Sequence, residues 1–416
     1  MSPAAAFATI RASQRRAARW PYAELDVAAV RAGGRGPVPF REFVLKVHQR
    51  CNLACDYCYV YEHADQSWRG RPLSMSDQVV AATVARIADH VRRHELDSVR
   101  VVLHGGEPLL FGADRLAALA GTVRGALPGG CRVELGMQTN GVRLDAPTVA
   151  MLVAHGIRAG VSVDGVRADH DRHRRTPNGR GSFTAVERAL ALLRRPENQA
   201  AYAGVLCTVA PDTDPIACYE QLLAFAPPAI DLLFPHANWE NPPWRPDGAS
   251  ATPYADWLIP VFDRWYAEQS PTRIRLFEDA ISLVLGGGSR SEQLGLSPSG
   301  VVVIESDGDI EQVDALKSAY EGAGATGLNV RHDALDDALD DPGIVARQIG
   351  RAALSDECLA CPAVAFCGGG HYAHRYRREA GFRSPSVYCA DLRKLTRHVH
   401  DRVSADVRQL AEQGAS

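Results

Sequence analysis

No segment of this 416-residue chain is apolar over the roughly 18 residues that a membrane-spanning helix requires. Residues 1–20 also lack the apolar stretch of a secretory signal, so we expect neither a membrane protein nor an exported one. The chain also lacks a large net charge: a formal charge of -3 does not favour nucleic acid or a membrane surface as partner. These absences predict a cytoplasmic protein whose substrate has to be inferred from its sites.

Ten cysteines in a chain predicted to be cytoplasmic indicate metal binding or catalysis rather than disulfides. Three of them, Cys131, Cys207 and Cys218, are isolated and are predicted to be small core residues. The other seven form two sets, which are Cys51, Cys55 and Cys58 near one end of the chain and Cys358, Cys361, Cys367 and Cys389 near the other.

Residues 43–236 alternate short β-rich runs with longer helical ones, which predicts an α/β fold around a parallel sheet. Either an open doubly wound sheet or a partial barrel fits this pattern. The predicted strands are Phe43–His48, Val99–His104, Arg132–Gln138, Arg158–Val163, Tyr202–Val209 and Ile230–Pro235.

The alternation of β-rich and helical runs stops after His236, where several prolines and then a predicted aromatic-rich helix follow. A predicted hairpin at Val301–Ile310 opens a turn-rich region that is too poor in apolar periodicity to fold without a metal. Four arginines at residues 11–19 mark a solvated N-terminal arm. We therefore divide the chain into an arm (1–40), a core barrel or sheet (41–236), a helical bridge (237–299), a cysteine-rich domain (300–391) and a C-terminal helix (392–416).

The first cysteine set follows the first predicted strand as a CxxxCxxC loop, Cys51, Cys55 and Cys58. Three thiolates can hold three irons of a cubane cluster, and the fourth iron is then free to chelate a small molecule. A structural zinc site is the alternative, although it needs a fourth ligand, for which His48 is a candidate.

The ends of the next predicted strands carry residues suited to a bound ligand. After the second strand, Gly105 and Gly106 allow close backbone approach, and Glu107 can accept from an ammonium group. After the fourth strand stand Ser162 and Asp164, which suit ribose hydroxyls. Because carboxyl ends of parallel strands meet at one edge, these residues and the cysteine loop are predicted to form one site.

Through the CxxxCxxC loop, the GGEP motif and the order of its strands, the sequence resembles the radical S-adenosylmethionine (SAM) superfamily. The resemblance implies a partial (β/α)6 barrel in which Cys51, Cys55 and Cys58 hold a [4Fe–4S] cluster. It also implies that Glu107 and the backbone of Gly105–Gly106 bind the amino group of SAM. Ser162 and Asp164 are the implied ribose or peptide contacts.

The second set resembles the SPASM extension of peptide-modifying radical SAM enzymes, in which Cys358, Cys361, Cys367 and Cys389 would bind an auxiliary [4Fe–4S] cluster. The full extension has further cysteines where this chain has His371 and, in the hairpin, Val313. We therefore expect one auxiliary cluster, which transfers electrons because none of its irons is open. By spacing alone, zinc stays an alternative.

By its position just beyond the hairpin turn, Asp314 resembles the aspartate that serves as general base in anaerobic sulfatase-maturing enzymes. Its enclosure is expected to raise its pKa towards a useful value; a solvated turn aspartate is the alternative. His371, His374 and Arg375 are expected to pack around the auxiliary site, with contact to an acidic peptide as the alternative. His170, Asp171 and Arg174 are expected to brace the first site.

Four runs, KVHQRCNLACDYCYVYEHADQSW, VLHGGEPLL, FPHANWENPP and CGGGHYAHRYRREAGFRSPSVYCADL, resemble the FxsB group of radical SAM/SPASM peptide maturases. The resemblance implies a cyclophane crosslink in a ribosomal precursor peptide, joining an aromatic ring carbon to the Cβ of a residue two positions on. It further implies an electron donor such as flavodoxin or ferredoxin. Two alternatives stay open: oxidation of Ser or Cys to formylglycine in a sulfatase, and a metal-stabilised peptide-binding protein without turnover.

Overall fold

The computed structural model describes residues 19–414 and contains a ten-stranded sheet. The strands are β1 (Glu42–His48), β2 (Ser98–Gly105), β3 (Arg132–Thr139), β4 (Ile157–Ser162), β5 (Tyr202–Thr208), β6 (Ala229–Leu233), β7 (Arg273–Ile274), β8 (Val301–Ile304), β9 (Asp309–Glu311) and β10 (Ala325–Asn329). Across the sheet their order is β10-β9-β8-β1-β2-β3-β4-β5-β6-β7.

Helices fill the connections between most strands and continue to the C-terminus. They are α1 (Val27–Ala32), α2 (Asp77–Arg93), α3 (Ala113–Ala126), α4 (Ala146–Ala154), α5 (Arg167–His173), α6 (Phe183–Leu193), α7 (Pro215–Ala224), α8 (Pro253–Glu268), α9 (Arg275–Val284), α10 (Pro342–Ala346), α11 (Asp356–Leu359), α12 (Val364–Cys367) and α13 (Cys389–Gly414). Among the described residues, no helix is both long enough and apolar enough to span a membrane.

Strands β1 to β7 pair in chain order and are all parallel. Their inward residues, such as Phe43, Leu45 and Val161, are fully buried because helices cover the sheet. The predicted α/β fold is thereby confirmed, and all six predicted strands lie within two residues of the observed ones. This arrangement gathers the carboxyl ends of six successive strands at one rim.

The hairpin of the cysteine-rich region belongs to the core sheet. Strand β8 pairs in parallel with β1, with Phe43 opposite Val302 and Leu45 opposite Ile304. Strands β9 and β10 then continue the sheet in antiparallel fashion. The chain that follows β9, including Asp314, is thereby held beside the carboxyl end of β1.

The cysteine-rich region also has an apolar core of its own, which its weak apolar periodicity did not predict. Leu316, Val345, Tyr372 and Phe382 are buried together, and Trp20 packs among them. Short helices and irregular turns carry these side chains, which is why no extended periodic pattern indicated them. Of the predicted N-terminal arm, residues 1–18 lie outside the described part of the chain, and Trp20 is anchored rather than solvated.

Candidate functional site

The CxxxCxxC loop leaves β1 and places Cys51, Cys55 and Cys58 at the rim, half-buried. The backbone N–H of Leu53 donates to Cys51 Sγ over 3.4 Å, and the side-chain amide of Asn140 donates to the same sulfur over 3.5 Å. Burial raises the pKa of Cys51 to about 11 and that of Cys55 to about 12. A bound cation is therefore needed to hold these sulfurs as thiolates.

Two glycines fit the end of β2 against the start of this loop. A Cβ on Gly105 would lie 2.2 Å from the carbonyl oxygen of His48, and one on Gly106 would lie 1.9 Å from the Tyr61 hydroxyl. The N–H of Gly106 donates to the His48 carbonyl over 2.8 Å. Any side chain at either position would push the cysteine loop away from the strand.

Glu107, the third residue of this motif, is fully buried and joins β2 to β3. Its carboxylate accepts from the N–H of Leu109 over 3.0 Å, the hydroxyl of Thr139 over 2.7 Å and the N–H of Asn140 over 2.8 Å. A carboxylate has about four acceptor sites, so one is left for a ligand. The contact between Glu107 and the amino group of SAM stays a prediction, and Glu107 also positions Asn140, which donates to Cys51.

Ser162 and Asp164 lie at the end of β4. The Ser162 hydroxyl accepts from the side chain of Gln138 over 3.0 Å. Asp164 accepts from Arg174 Nε over 2.7 Å and from the hydroxyl of Tyr57, which lies between Cys55 and Cys58. Burial favours the neutral acid, but Arg174 outweighs it and lowers the pKa of Asp164. Asp164 thus stays ionised and fixes the cysteine loop through Tyr57.

Two of the three residues expected to brace the site contact Asp164, whereas Asp171 accepts from the backbone N–H of Phe183 over 2.8 Å. Arg174 forms the ion pair just described, and the buried ring of His170 accepts from the N–H of Asp164 over 3.2 Å. The hydroxyl of Tyr57 as a third partner was not predictable from the sequence, since an aromatic residue before the last cysteine also fits a packing role.

A cavity of about 420 Å³ opens between the ends of β5 and β6 and the segment after β6. Its walls are largely apolar, and Tyr57 and Asp164 contribute to its inner end. Three buried nitrogen atoms on its lining, His63 Nδ1, Arg172 Nη2 and His236 Nδ1, have no hydrogen-bond partner among the described residues. Unsatisfied buried donors and acceptors at a cavity wall indicate a ligand site.

Asp314 stands on the turn after β9 and is buried. Its Oδ2 accepts from Lys46 Nζ over 2.6 Å and lies 4.0 Å from His104 Nδ1, whereas its Oδ1 has no partner among the described residues. Burial raises its pKa, but the positive charges of Lys46 and Lys317 outweigh it, and the pKa of Asp314 is lowered. The expectations of a raised pKa and of an alternative solvated aspartate were therefore wrong.

The four C-terminal cysteines line one cavity of about 240 Å³. Cys358 lies on α11, Cys367 ends α12 and Cys389 begins α13, so three elements converge on it. Burial raises the pKa of Cys367 to about 12, which again calls for a cation. Arg375, which was expected to pack here, donates to the carbonyl of Gly368 over 2.8 Å and so holds the loop behind Cys367.

Histidine rings lie between the two cysteine sites. The centroid of His236 is 4.5 Å from that of Tyr59, next to Cys58, and 5.6 Å from that of His371. His371 in turn is 4.9 Å from His374. Burial lowers the pKa of His236 to about 3 and that of His371 to about 4, so these rings are neutral.

The three cysteines outside the two sets lie elsewhere in the fold. Cys207 and Cys218 are buried with their sulfurs 3.8 Å apart, and Cys131 is half-buried.

Comparison with known proteins decides the superfamily. Residues 45–196 match the family model of the Radical SAM superfamily. The chain carries a radical SAM domain. The prediction of a radical SAM enzyme is confirmed, and a binding protein without turnover is excluded. The finer FxsB assignment stays a prediction.

The relatives of this radical SAM enzyme include two sulfatase-maturating enzymes. A cysteine-type anaerobic sulfatase-maturating enzyme of Clostridium perfringens is 23% identical over 380 residues, which cover 85% of this chain and 94% of that protein. A serine-type anaerobic sulfatase-maturating enzyme of Klebsiella aerogenes is 27% identical over 374 residues, with 84% and 85% covered.

Two solved structures share the fold of the radical SAM enzyme. Native anSMEcpe with bound AdoMet and Cp18Cys peptide has a TM-score of 0.76 at 20% identity, covering 90% of this chain and 100% of that one. Streptococcus suis SuiB bound to precursor peptide SuiA has a TM-score of 0.55 at 17% identity, covering 87% and 78%. At these identities the likeness concerns the fold.

The cofactors of this radical SAM enzyme are SAM and [4Fe–4S] clusters, and the thiols fit clusters better than single zinc ions. Around one tetrahedral zinc with bonds near 2.3 Å, the sulfurs would lie about 3.8 Å apart. Among the described residues, the groups of three or more ligand atoms that come within 4.8 Å of one another include neither cysteine set. Sulfurs that do not gather this closely suit a larger metal centre, such as a cubane.

Proposed function

We propose that this radical SAM enzyme modifies a ribosomally made precursor peptide, forming a cyclophane by a C–C bond between an aromatic side chain and the Cβ of a nearby residue. The observation that carries the proposal is Asp314, a buried carboxylate with one oxygen held by Lys46 and the other unpartnered. The chemistry of ring closure needs such a base. An external donor such as flavodoxin or ferredoxin would supply the reducing electron.

Each set of residues has a separate task in this proposal. Cys51, Cys55 and Cys58 would hold the first cluster, with SAM against Gly105, Gly106, Glu107, Ser162 and Asp164, and the four C-terminal cysteines would hold the auxiliary cluster. When bound, these groups supply a 5′-deoxyadenosyl radical, which removes a Cβ hydrogen atom, and an acceptor for one electron.

The chain's own residues then complete the substrate chemistry. After the Cβ radical has added to the aromatic ring, the ring carbon has to lose a proton to become aromatic again. Asp314 Oδ1 is free to accept it, and Lys46 keeps the carboxylate ionised beforehand because it lowers the pKa of Asp314. The neutral His104, whose pKa burial lowers to about 4, adds no competing charge.

Precursor-peptide substrates are supported by SuiB, which was solved with its precursor peptide and shares this fold. The cavity of about 420 Å³, with its three unpartnered nitrogens and with Asp164 in its wall, supports room for a ligand beside the proposed SAM site. The single four-cysteine cavity supports one auxiliary cluster, since Val313 and His371 occupy the positions at which further cysteines would stand.

Oxidation of a Ser or Cys to formylglycine in a sulfatase is the second candidate. The relatives named as sulfatase-maturating enzymes favour it, because they match along 84–85% of this chain. The same base would serve, since that oxidation also releases a proton. The absent cysteines at Val313 and His371 count against it.

The deciding experiment incubates the iron-replete enzyme anaerobically with SAM, reductant and the precursor peptide encoded beside its gene. Crosslinking removes two hydrogens from the peptide, as does oxidation of serine to formylglycine, so mass alone does not separate them. An aldehyde forms a hydrazone with a hydrazide probe, whereas a crosslink does not and blocks fragmentation between the joined residues. A precursor of unchanged mass, together with an oxidised sulfatase peptide, would replace the first proposal by the second.

A further inference from the structure

Part of the cavity of about 420 Å³ is walled by the segment after β6 and by α8. This part, which we name the aromatic wall, consists of Pro242, Pro243, Trp244, Tyr254 and Trp257. Apolar and aromatic side chains with a few polar groups among them are the usual lining of a ligand site. The aromatic wall therefore suits a flat apolar group.

Trp244 is the aromatic residue of this wall that is open to solvent. It is 58% exposed, whereas Trp257 and Tyr254 are 3% and 1% exposed. The backbone of Trp244 is fixed, because the Tyr254 hydroxyl donates to its carbonyl oxygen over 2.8 Å and two prolines precede it. A side chain on a fixed backbone loses little conformational entropy when a ligand covers it. Trp244 is thus pre-organised to bind an apolar partner.

Arg172 supplies the cavity with one hydrogen-bond donor. Its Nη1 lies 2.7 Å from Asp212 Oδ2, and its Nε donates to His173 Nε2 over 2.9 Å. The remaining nitrogen, Nη2, is buried and has no partner among the described residues. Because a guanidinium is always protonated, Nη2 needs an acceptor from the bound molecule. Asp212 already balances the charge of Arg172, so a neutral carbonyl oxygen suits this position better than a carboxylate.

Two neutral histidine rings add further hydrogen-bonding groups to the same lining. Nδ1 of His63 and Nδ1 of His236 are both buried and unpartnered among the described residues. Burial lowers the pKa of both rings, so neither ring carries a charge near neutral pH. A neutral ring nitrogen accepts from an N–H group or donates to a carbonyl, according to the tautomer. An uncharged peptide segment offers both kinds of partner, and an aromatic side chain on it matches the aromatic wall.

We propose that this cavity binds an aromatic residue of the precursor peptide, with Trp244 as the specificity-determining residue for its ring. The inference rests on the proposed function, because it places the aromatic side chain that the crosslink requires. Tyr57 and Asp164 belong to the same lining, so a ring bound here lies beside the proposed SAM site. The adenine of SAM is the other aromatic group that these walls suit, and the experiment distinguishes the two.

The test measures binding of the precursor peptide encoded beside the gene, and separately of SAM, by calorimetry on anaerobic, iron-replete protein without reductant. Wild type is compared with Trp244→Ala, Trp244→Phe and the control Leu285→Ala, since Leu285 is 62% exposed but lies outside the lining. We expect Trp244→Ala to raise the Kd of the precursor about tenfold and to leave the Kd of SAM unchanged. Trp244→Phe and Leu285→Ala should bind the precursor like wild type.

Precursors in which each aromatic residue is replaced in turn by leucine identify the ring that Trp244 contacts. One of these peptides should bind wild type about tenfold more weakly, and Trp244→Ala should weaken its binding little further. Losses that add for every peptide would overturn the inference, as would an unchanged precursor Kd in Trp244→Ala. A loss confined to SAM would also overturn it and would assign the aromatic wall to adenine.

Two further outcomes separate this site from the proposed reaction and from damage to the fold. A wild type that binds the precursor through Trp244 but forms no crosslink supports the site and contradicts the proposed function. If Trp244→Ala binds less iron than wild type, Trp244→Leu decides, because it keeps an apolar side chain without a ring. Weaker precursor binding with wild-type SAM binding in Trp244→Leu supports the inference, and wild-type precursor binding overturns it.

Discussion

Replacing Lys46 with methionine isolates the ion pair that keeps Asp314 charged. The substitution removes the ammonium group 2.6 Å from the carboxylate and keeps a side chain of similar length. Asp314 and its buried neighbours Glu305 and Glu311 would then face two cations, Lys317 and Arg71, instead of three. Because the Lys46 side chain is 1% exposed, water cannot take its place to solvate the unpaired carboxylate.

Breaking a buried ion pair by removing one partner costs about 3–5 kcal/mol in the free energy of unfolding. Unfolding entropy near 2.1 cal/mol/K per residue, taken over the 416 residues, converts this cost to a fall in melting temperature of about 3–6 °C. The double variant Lys46→Met/Asp314→Asn restores the balance of two cations and two carboxylates. It should therefore melt above Lys46→Met, close to wild type.

The pH dependence of this difference follows from the pKa of Asp314. In wild type that pKa is depressed, so its contribution to stability is present above the unfolded value, about 3.9, and is lost only as pH falls through the lower folded value. Without Lys46, burial is less opposed and the carboxyl takes up a proton at higher pH. The difference in melting temperature between wild type and Lys46→Met should therefore narrow as the pH falls from about pH 8 to about pH 5.

Circular dichroism melts of the anaerobic, iron-replete proteins test this directly. A Lys46→Met variant that melts at the wild-type temperature, or a double variant that melts no higher than Lys46→Met, would contradict this role of the ion pair. The iron content of each protein has to be equal, so that cluster loss is not mistaken for loss of the ion pair.

Three further predictions concern the two cysteine sites and the loop that supports the first. Cys55→Ala should abolish 5′-deoxyadenosine formation, whereas Cys361→Ala should retain some of it but yield little crosslinked peptide; equal cleavage in wild type and Cys55→Ala contradicts the assignment. Gly106→Ala should destabilise the protein by about 1–3 kcal/mol and lower its iron content, because the new methyl group would lie 1.9 Å from the hydroxyl of Tyr61. The control variant Gly129→Ala, whose new methyl group would have no atom within 4 Å, should match wild type in a thermal melt. Arg174→Gln should slow SAM cleavage, and the effect should grow as the pH falls from about pH 8 to about pH 6. Without Arg174 the pKa of Asp164 is higher, so Asp164 protonates in this range. A pH profile parallel to that of wild type would contradict the role of Arg174 in keeping Asp164 ionised.

Local patterns were enough to predict much of the fold. The β-rich runs predicted to end at His48 and His104 are followed closely by Cys51 and Gly105, and this pattern located both the strands and the rim at which they end. The helix start at Asp77 is equally local, because the capping residue Ser76 and a 3.6-residue period lie within one short window.

Contacts between distant parts of the chain were not predictable in the same way. The pairing of β8 with β1 joins residues some 260 positions apart, and nothing in either strand encodes the partner. Lys46 therefore looked like an ordinary strand residue, although this pairing makes it the partner of Asp314. The raised pKa expected for Asp314 was wrong for that reason: burial could be inferred from the sequence, but the opposing charge could not.

The most direct test of crosslinking is the mass of the neighbouring precursor peptide after anaerobic reaction with wild type and with Asp314→Asn. We expect a wild-type product two hydrogens lighter that forms no hydrazone and resists fragmentation between an aromatic residue and the residue crosslinked to it. We also expect 5′-deoxyadenosine but little of this product from Asp314→Asn. Full crosslinking by Asp314→Asn, or a precursor left unmodified by an iron-replete wild type that cleaves SAM, would contradict the proposed reaction.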